Sequence, residues 1–378
     1  MDTNIVDTNE KLFIKIKKKK PIINHQKDDA DSILINKQNL GQFYTTNYKY
    51  ILQNMYIPND IIDIVEPFAG NGDLLNFIEK NKYNIECYDI DPKHNYIIKQ
   101  DTLLNPPNLN NKFILTNPPY LARNKCNNKR LFNLYNTNDL YKCFMQILIN
   151  STCQGGILIV PLNFICSIRK NDIELRKNFI KKYDIININI FEENVFDDTS
   201  YAICSFQFIL KIDTIENNTR CYIYPLNIKI NFILNNNNNY IIGGDIYNLT
   251  QNKKYKIERA TSKYKEDTYF TNILVKCIDD NINNKIRLSI INNEDKNKYI
   301  DNTPNLTARS YAILVIEPKI SIDIEHILVN NFNIFLNDYR NKYNSLFLTN
   351  YRESNTIARK RISFNLVYEI CNYLLSDI

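Results

Sequence analysis

Leu115-Thr116-Asn117-Pro118-Pro119-Tyr120 closes a short apolar run that begins at Phe113 and Ile114. The run has the length and character of a buried strand. Two prolines in succession cannot donate to a sheet ladder, and each fixes its own φ, so the strand must end at Asn117. Past that point the chain forms a stiff, extended turn that carries an amide and a phenol at a strand's carboxyl end. In open α/β sheets that is where ligands bind. The Asn117 side chain offers one carbonyl acceptor, a backbone carbonyl offers another, and the tyrosine ring offers a flat face. Together they suit a planar group that carries an amino nitrogen. A plain strand stop, with Asn117 as a turn residue and Tyr120 as packing, would use the same residues.

Upstream, the β-branched run Ile61 to Val65 leads straight into Glu66-Pro67-Phe68-Ala69-Gly70-Asn71-Gly72-Asp73. The chain has only seven glycines, and two of them stand here, two residues apart. Such a loop lets backbone approach a ligand closely, and a helix expected from Gly72 to Lys80 would point its N-terminus at it. The third glycine of the dinucleotide fingerprint is missing. A second strand, Ile85 to Tyr88, ends in Asp89-Ile90-Asp91, where a carboxylate commonly accepts from ribose hydroxyls. Asp101 and Thr102 add polar groups after a short connection. Before all of these, Thr45 or Thr46 can cap a helix expected to run to Met55.

This constellation resembles the S-adenosylmethionine-dependent methyltransferases, and among them the amino methyltransferases of DNA. The match runs through Gly41-Gln42-Phe43-Tyr44-Thr45, the loop from Glu66 to Gly72, Asp89-Ile90-Asp91, Asp101 and Asn117-Pro118-Pro119-Tyr120. Their order is similar to that of the gamma class, which modifies the N6 amino group of adenine. The resemblance continues through Gly155 to Pro161 as a fifth strand, and Asp184 to Phe191 with Ala202 to Leu210 as a final antiparallel pair. It implies a Rossmann-like α/β fold whose sheet is mostly parallel, with the last strand antiparallel. It also implies that Thr45, Glu66, Phe68, Ala69, Gly70, Gly72, Asp89, Ile90, Asp101, Thr102 and Asn117 hold S-adenosylmethionine. Asn117 and the Pro118 carbonyl would grip the acceptor amine. A base inside a duplex cannot reach such a pocket, so it would be flipped out. Tyr120 would stack on it, with Phe196, or Tyr201 in its place, on the other side. Arg123, Lys125, Lys129 and Arg130 come next in a polar loop, as phosphate contacts or as a solvated surface.

The chain's 378 residues are enough for two domains, and 44% hydrophobic content supports real cores. No apolar run reaches membrane-span length, and no apolar signal region opens the chain, so a cytoplasmic protein is expected, a nuclear or viral compartment staying open. Nine cysteines without a Cys-x-x-Cys pair suggest reduced thiols, and three scattered histidines suggest no metal site. A net charge of +6 fits a nucleic-acid partner. Residues 1–38, with the basic cluster Lys15 to Lys20, read as a mobile arm. Residues 39–215 read as the catalytic domain, and residues 216–378 as an α+β target-recognition domain. Within it, Cys221–Tyr224, Ile228–Ile230 and Tyr311–Ile316 look like strands, while Ile324–Leu336 and Leu366–Leu375 look helical. Arg340, Lys342, Arg352 and residues 359–361 give it basic character.

The expected partner is double-stranded DNA, bound by a monomer, with a cognate restriction endonuclease as a further partner. Within the same fold, a protein glutamine N5-methyltransferase and a ribosomal RNA amino methyltransferase remain open. A DNA-binding specificity subunit with an inactive cofactor pocket is the non-enzymatic alternative.

Overall fold

The computed structural model describes residues 44–196, 202–212, 218–261, 264, 270–281, 283–300, 310–351 and 359–376. The arm, Gly41 to Phe43, Asp197 to Thr199, Tyr201 and Arg352 lie outside the described residues.

The Asn117 run and its neighbours build one half of a nine-stranded sheet. The strands are β1 (Asp63–Glu66), β2 (Asn84–Asp89), β3 (Ile98–Lys99), β4 (Phe113–Thr116) and β5 (Gly155–Pro161). After them come β6 (Tyr183–Phe191), β7 (Ile203–Leu210), β8 (Asn218–Tyr224) and β9 (Ile228–Ile233). The spatial order is β3-β2-β1-β4-β5-β7-β6-β8-β9. From β3 to β5 every pairing is parallel, and β7 runs antiparallel to both β5 and β6. The chain therefore winds one way from β1 to β3 and the other way from β4 onward. The reversal falls between β1 and β4, so Glu66 and Asn117 end adjacent strands at the switch point, where a ligand crevice opens. Helices α1 (Leu140–Asn150) and α2 (Lys170–Lys182) cover the sheet. All seven residues of β5 are buried, as an unbroken apolar run in a covered parallel sheet requires.

Three expectations need correction. The helix expected over Thr45–Met55 is a single turn, Tyr48–Ile51, with Asn47 at its N-cap. The helix expected from Gly72 to Lys80 is a 3-10 turn, Asp73–Phe77, which buries Leu74 and Leu75 and gives way to extended backbone at Ile78. Two adjacent apolar side chains that must both be buried suit one tight turn better than a helix stripe. The hairpin β8–β9, assigned to the C-terminal domain, instead pairs in parallel with β6 and widens the large sheet. A domain boundary at 215/216 would cut that sheet.

The C-terminal unit has its own core. An antiparallel sheet of four strands, β10 (Lys256–Arg259), β11 (Phe270–Lys276), β12 (Arg287–Ile290) and β13 (Tyr311–Glu317), has the order β10-β13-β11-β12. It packs against α3 (Ile322–Tyr343) and α4 (Phe364–Leu374) around Leu328, Phe332, Val367 and Ile370. A two-stranded ribbon, β14 (Thr349–Tyr351) with β15 (Arg359–Arg361), lies against the short helix Asn163–Cys166 of the unit that holds the large sheet. Among the described residues, no helix is long and apolar enough to cross a membrane.

The segment that delivers Thr45 to the site is held from below by polar side chains of β6 and β7. Asn189 Nδ2 donates to the carbonyls of Ile51 (3.2 Å) and Gln53 (2.5 Å), and Ser205 Oγ also donates to Ile51 (2.6 Å). The Gln207 amide exchanges two bonds with the Tyr56 backbone, at 2.8 and 3.2 Å. Asn189→Ala would take the side-chain donor from the Gln53 carbonyl and leave that of Ile51 with Ser205 alone, at a cost of about 1–3 kcal/mol. Denaturant unfolding should show that loss, and amide exchange should quicken first in the segment around Ile51.

Candidate active site

The glycine loop takes its shape from backbone that only glycine accepts easily. Gly70 and Gly72 have φ of +52° and +74°, and a Cβ on Gly72 would come within 2.5 Å of the Tyr96 hydroxyl. Two residues of the expected cofactor set hold this loop rather than pointing free. Asp89, at the end of β2, accepts from the Gly70 and Asp91 amides, each at 2.8 Å. Thr102 donates to the Pro67 carbonyl at 2.6 Å. Asp101 caps its own turn by accepting from Leu103 N (3.0 Å) and Leu104 N (3.2 Å). Both Asp89 oxygens keep a second lone pair for a ligand, and on Asp101 it is Oδ2 that can accept, since Oδ1 takes both amides. Beside them opens a cavity of about 290 Å³, walled by Phe68, Ile90, Leu103, Phe132 and Leu140 and reached by Asp89, Asp101 and Asn117. An apolar slot with a few polar edges suits a flat heterocycle on a sugar.

A second, tighter recess of about 20 Å³ adjoins it, lined by Tyr44, Thr45, Glu66, Gly70, Asp73 and Asn117. Here Glu66 Oε2 and Asp73 Oδ2 are buried without a hydrogen-bond partner. Burial lifts the Glu66 carboxyl well above its ordinary range, Asp73 and Asp89 push the same way, and Lys80 opposes weakly. Two buried carboxylate oxygens lacking donors call for a cation. That chemistry fits S-adenosylmethionine, which carries an ammonium and a sulfonium and no phosphate. The short 3-10 turn at Asp73 therefore loses nothing by being a poor anion site. Asp73 was missed from sequence, although its carboxyl directly after Gly72 was the available signal.

Asn117 borders both cavities. Its Nδ2 donates to Thr45 Oγ1 at 3.1 Å, and its Oδ1 accepts from the Tyr120 hydroxyl. Tyr120 is also within 2.8 Å of the Ile159 carbonyl on β5. A phenol has one proton, so it serves one of these acceptors at a time. This corrects the stacking role expected of Tyr120. Its ring is 2% exposed and meets Tyr141 edge-on at 6.2 Å, so it offers no open face. Phe196 is 6% exposed and also belongs to the core. The faces toward the cavity are instead Pro119 and Leu121.

The chain leaving Tyr120 is pinned to the start of α1. Leu140 N donates to Leu121 O at 3.2 Å, Arg123 N to Asn138 O at 2.9 Å, and Asp139 Oδ1 accepts from Leu121 N at 3.2 Å. Burial pushes the Asp139 carboxyl up to about 6, against the pull of Lys142 and of the backbone N–H groups of Leu121, Tyr141 and Leu140. Of the four basic residues after Tyr120, Arg130 lines the cofactor-sized cavity, while Arg123 and Lys129 face a different one. Arg340 and Lys360, expected on a basic surface, are consumed internally. Arg340 grips the buried Asp280 with Nε and Nη2, and Lys360 meets Glu192 Oε1 at 2.5 Å.

Comparison with known proteins gives this geometry a chemistry. The family model of the Eco57I restriction-modification methylase matches residues 69–196. Among solved structures, the methyltransferase subunit of a type I restriction-modification system from Streptococcus thermophilus is 16% identical, with a TM-score of 0.37 over 52% of this chain and 51% of its own. The type I restriction enzyme EcoKI M protein is 15% identical, with a TM-score of 0.35 over 51% of each chain. The type IIG restriction endonuclease BpuSI is 13% identical, with a TM-score of 0.37 over 66% of this chain and 38% of its own. The chain thus spans about half the length, or less, of these structures. No curated protein matches it. Residues 69–196 thus match a methylase domain of the restriction-modification type, and the cofactor that such a domain uses and that suits this site is S-adenosylmethionine.

A cation drawn to Glu66 favours its ionised form, so Glu66 is expected to release a proton on S-adenosylmethionine binding below its raised titration point. Affinity should climb with pH until Glu66 is ionised in the free protein, then level off. Titration calorimetry in buffers of different ionisation heat measures the proton count. Glu66→Gln should abolish both the release and the climb.

Proposed function

We propose that this chain is a site-specific DNA methyltransferase that methylates the exocyclic N6 of an adenine flipped out of duplex DNA. The observation that carries this reading is Asn117 at the edge shared by the two cavities, its amide oriented by Thr45 and Tyr120. When bound, S-adenosylmethionine supplies an electrophilic methyl group on sulfur. The protein's part is to bring an amine lone pair into line with it.

An adenine amino group is flat because its lone pair is shared with the ring. Asn117 Oδ1 has a second lone pair beyond the one offered to Tyr120, and it accepts one amino N–H. The Pro118 carbonyl, fixed by the two prolines, accepts the other. Drawing both hydrogens toward these oxygens gives the nitrogen tetrahedral character and frees its lone pair. The carbon–sulfur bond breaks as the carbon–nitrogen bond forms, and the extra amine proton then leaves to water. No strong base is required, and the gain comes from dipoles set in place beforehand. The unit beyond Ile233 would recognise the target sequence, and a cognate endonuclease is a natural partner for such an enzyme.

The test offers radiolabelled S-adenosylmethionine with duplex DNA, structured RNA or a glutamine-bearing protein acceptor, and then digestion and identification of the labelled species. Labelled N6-methyladenine in DNA is the expected product; label confined to RNA or protein would sink the reading. Asn117→Ala should lower transfer by about a hundredfold or more while cofactor affinity stays within a few-fold. Undiminished transfer by that variant would remove Asn117 from the mechanism.

A further inference from the structure

We infer that a second large cavity, beside the exit of the Asn117–Tyr120 turn, seats a backbone phosphate of the DNA strand that enters the site. This rests on the proposed duplex-DNA acceptor. The cavity measures about 660 Å³, more than twice the 290 Å³ of the cofactor-sized one. The pinned pair of segments forms a thin wall between the two. Leu121 and Leu140 face the cofactor side, whereas their neighbours Ala122 and Tyr141 face the second cavity. Thr349 of β14 also borders it, so it opens at the joint between the catalytic and C-terminal units. A duplex held by the C-terminal unit has to pass this joint to bring a nucleotide to Asn117.

The lining has an unbalanced charge. Arg123, Lys129, Lys142 and Arg169 face it, against Asp139 and Asp172. Both acids are already engaged. Asp172 takes Lys142 at 2.5 Å and the Ser167 hydroxyl at 2.6 Å, while Asp139, at the N-cap position of α1, accepts from Leu121 N. Three cations are left without a carboxylate partner among the described residues. Arg123 uses one nitrogen on the Asn133 amide, and Lys129 turns to the carbonyls of Arg123 and Cys126. Arg169 is exposed at the rim. Tyr141 adds a further donor, since its hydroxyl is buried with no hydrogen-bond partner. The cavity thus offers a set of donors and positive charge. The group that satisfies it accepts hydrogen bonds only and carries negative charge, as a phosphodiester does.

The test uses the full chain, saturated with S-adenosylmethionine, and a fluorescein-labelled mixed-sequence duplex titrated at several salt concentrations. The double variant Arg123→Gln with Arg169→Gln should weaken binding to every duplex alike. It should also flatten the dependence of log affinity on log salt by about two charges. Unchanged cofactor affinity and melting temperature would confirm that the variant is folded. If wild type methylates DNA and the variant binds duplex with unaltered affinity and slope, the phosphate site is refuted and the acceptor reading stands. If wild type neither binds duplex nor methylates it, the acceptor reading fails and takes this site with it.

Discussion

One relay of hydrogen bonds ties three distant parts of the chain together: Thr45 to Asn117, Asn117 to Tyr120, and Tyr120 to the Ile159 carbonyl. It joins the first described segment, the end of β4 and the middle of β5. Tyr120 and Thr45 are nearly inaccessible to solvent, so an unmet bond here would cost more than at a surface. With the phenol proton given to Asn117 Oδ1 and Thr45 Oγ1 accepting from Nδ2, the Asn117 amide is held with its oxygen toward Tyr120. The relay also depends on Thr45 being in place, which the Asn189, Ser205 and Gln207 side chains secure from the antiparallel half of the sheet. The odd strand β7 thus does more than end the parallel run. It carries two of the three side chains that hold the opposite lip of the site.

The site divides its charge across a short distance. On the side of β1, Glu66 and Asp73 present buried oxygens that lack donors. Past the wall made by Leu121 and Leu140, the surplus is positive. On the proposed reading, a donor molecule bearing positive charge and an acceptor strand bearing negative charge would each be drawn to their own side of Asn117. Neither ligand is well placed to occupy the other's pocket, because each would meet like charge there at low dielectric. That arrangement separates the two substrates electrostatically before any shape recognition acts.

Much of this was legible in the sequence, for identifiable reasons. Strands β4 and β5 announce themselves by apolar runs buried along their whole length, since a parallel sheet covered on both faces leaves no alternation to misread. Asn117-Pro118-Pro119 fixes its own geometry, so its place at a strand end could be read directly. The errors lie where tertiary context outweighs local pattern. Tyr120 reads as an exposed ring, but its hydroxyl finds two acceptors inside the fold and draws the ring in. Asp89 and Thr102 do border the cofactor-sized cavity, but their further part in shaping the glycine loop, each through a partner far along the chain, was not legible. The helix after Gly72 reads plausibly by composition, but burial of adjacent Leu74 and Leu75 favours a tight turn.

The same logic explains why basic residues of the C-terminal half were misleading as a map of contact surface. A cation's role depends on whether a carboxylate lies within reach, and sequence does not show that. Arg340 is neutralised by Asp280 inside the C-terminal core, and Lys360 crosses to Glu192, one residue past β6. Asn344 also donates to Glu192, at 3.3 Å. These partly buried contacts tie the two units together at Glu192, beside the hairpin β8–β9 that continues the large sheet. The polar surface left for a nucleic acid is then set by which cations the fold has failed to pair. Among the described residues lining the cavity at the joint, those without a carboxylate partner are Arg123, Lys129 and Arg169, all of them on the N-terminal unit. The catalytic unit would thus hold the strand by its backbone, leaving the C-terminal unit free to vary in the sequence it reads.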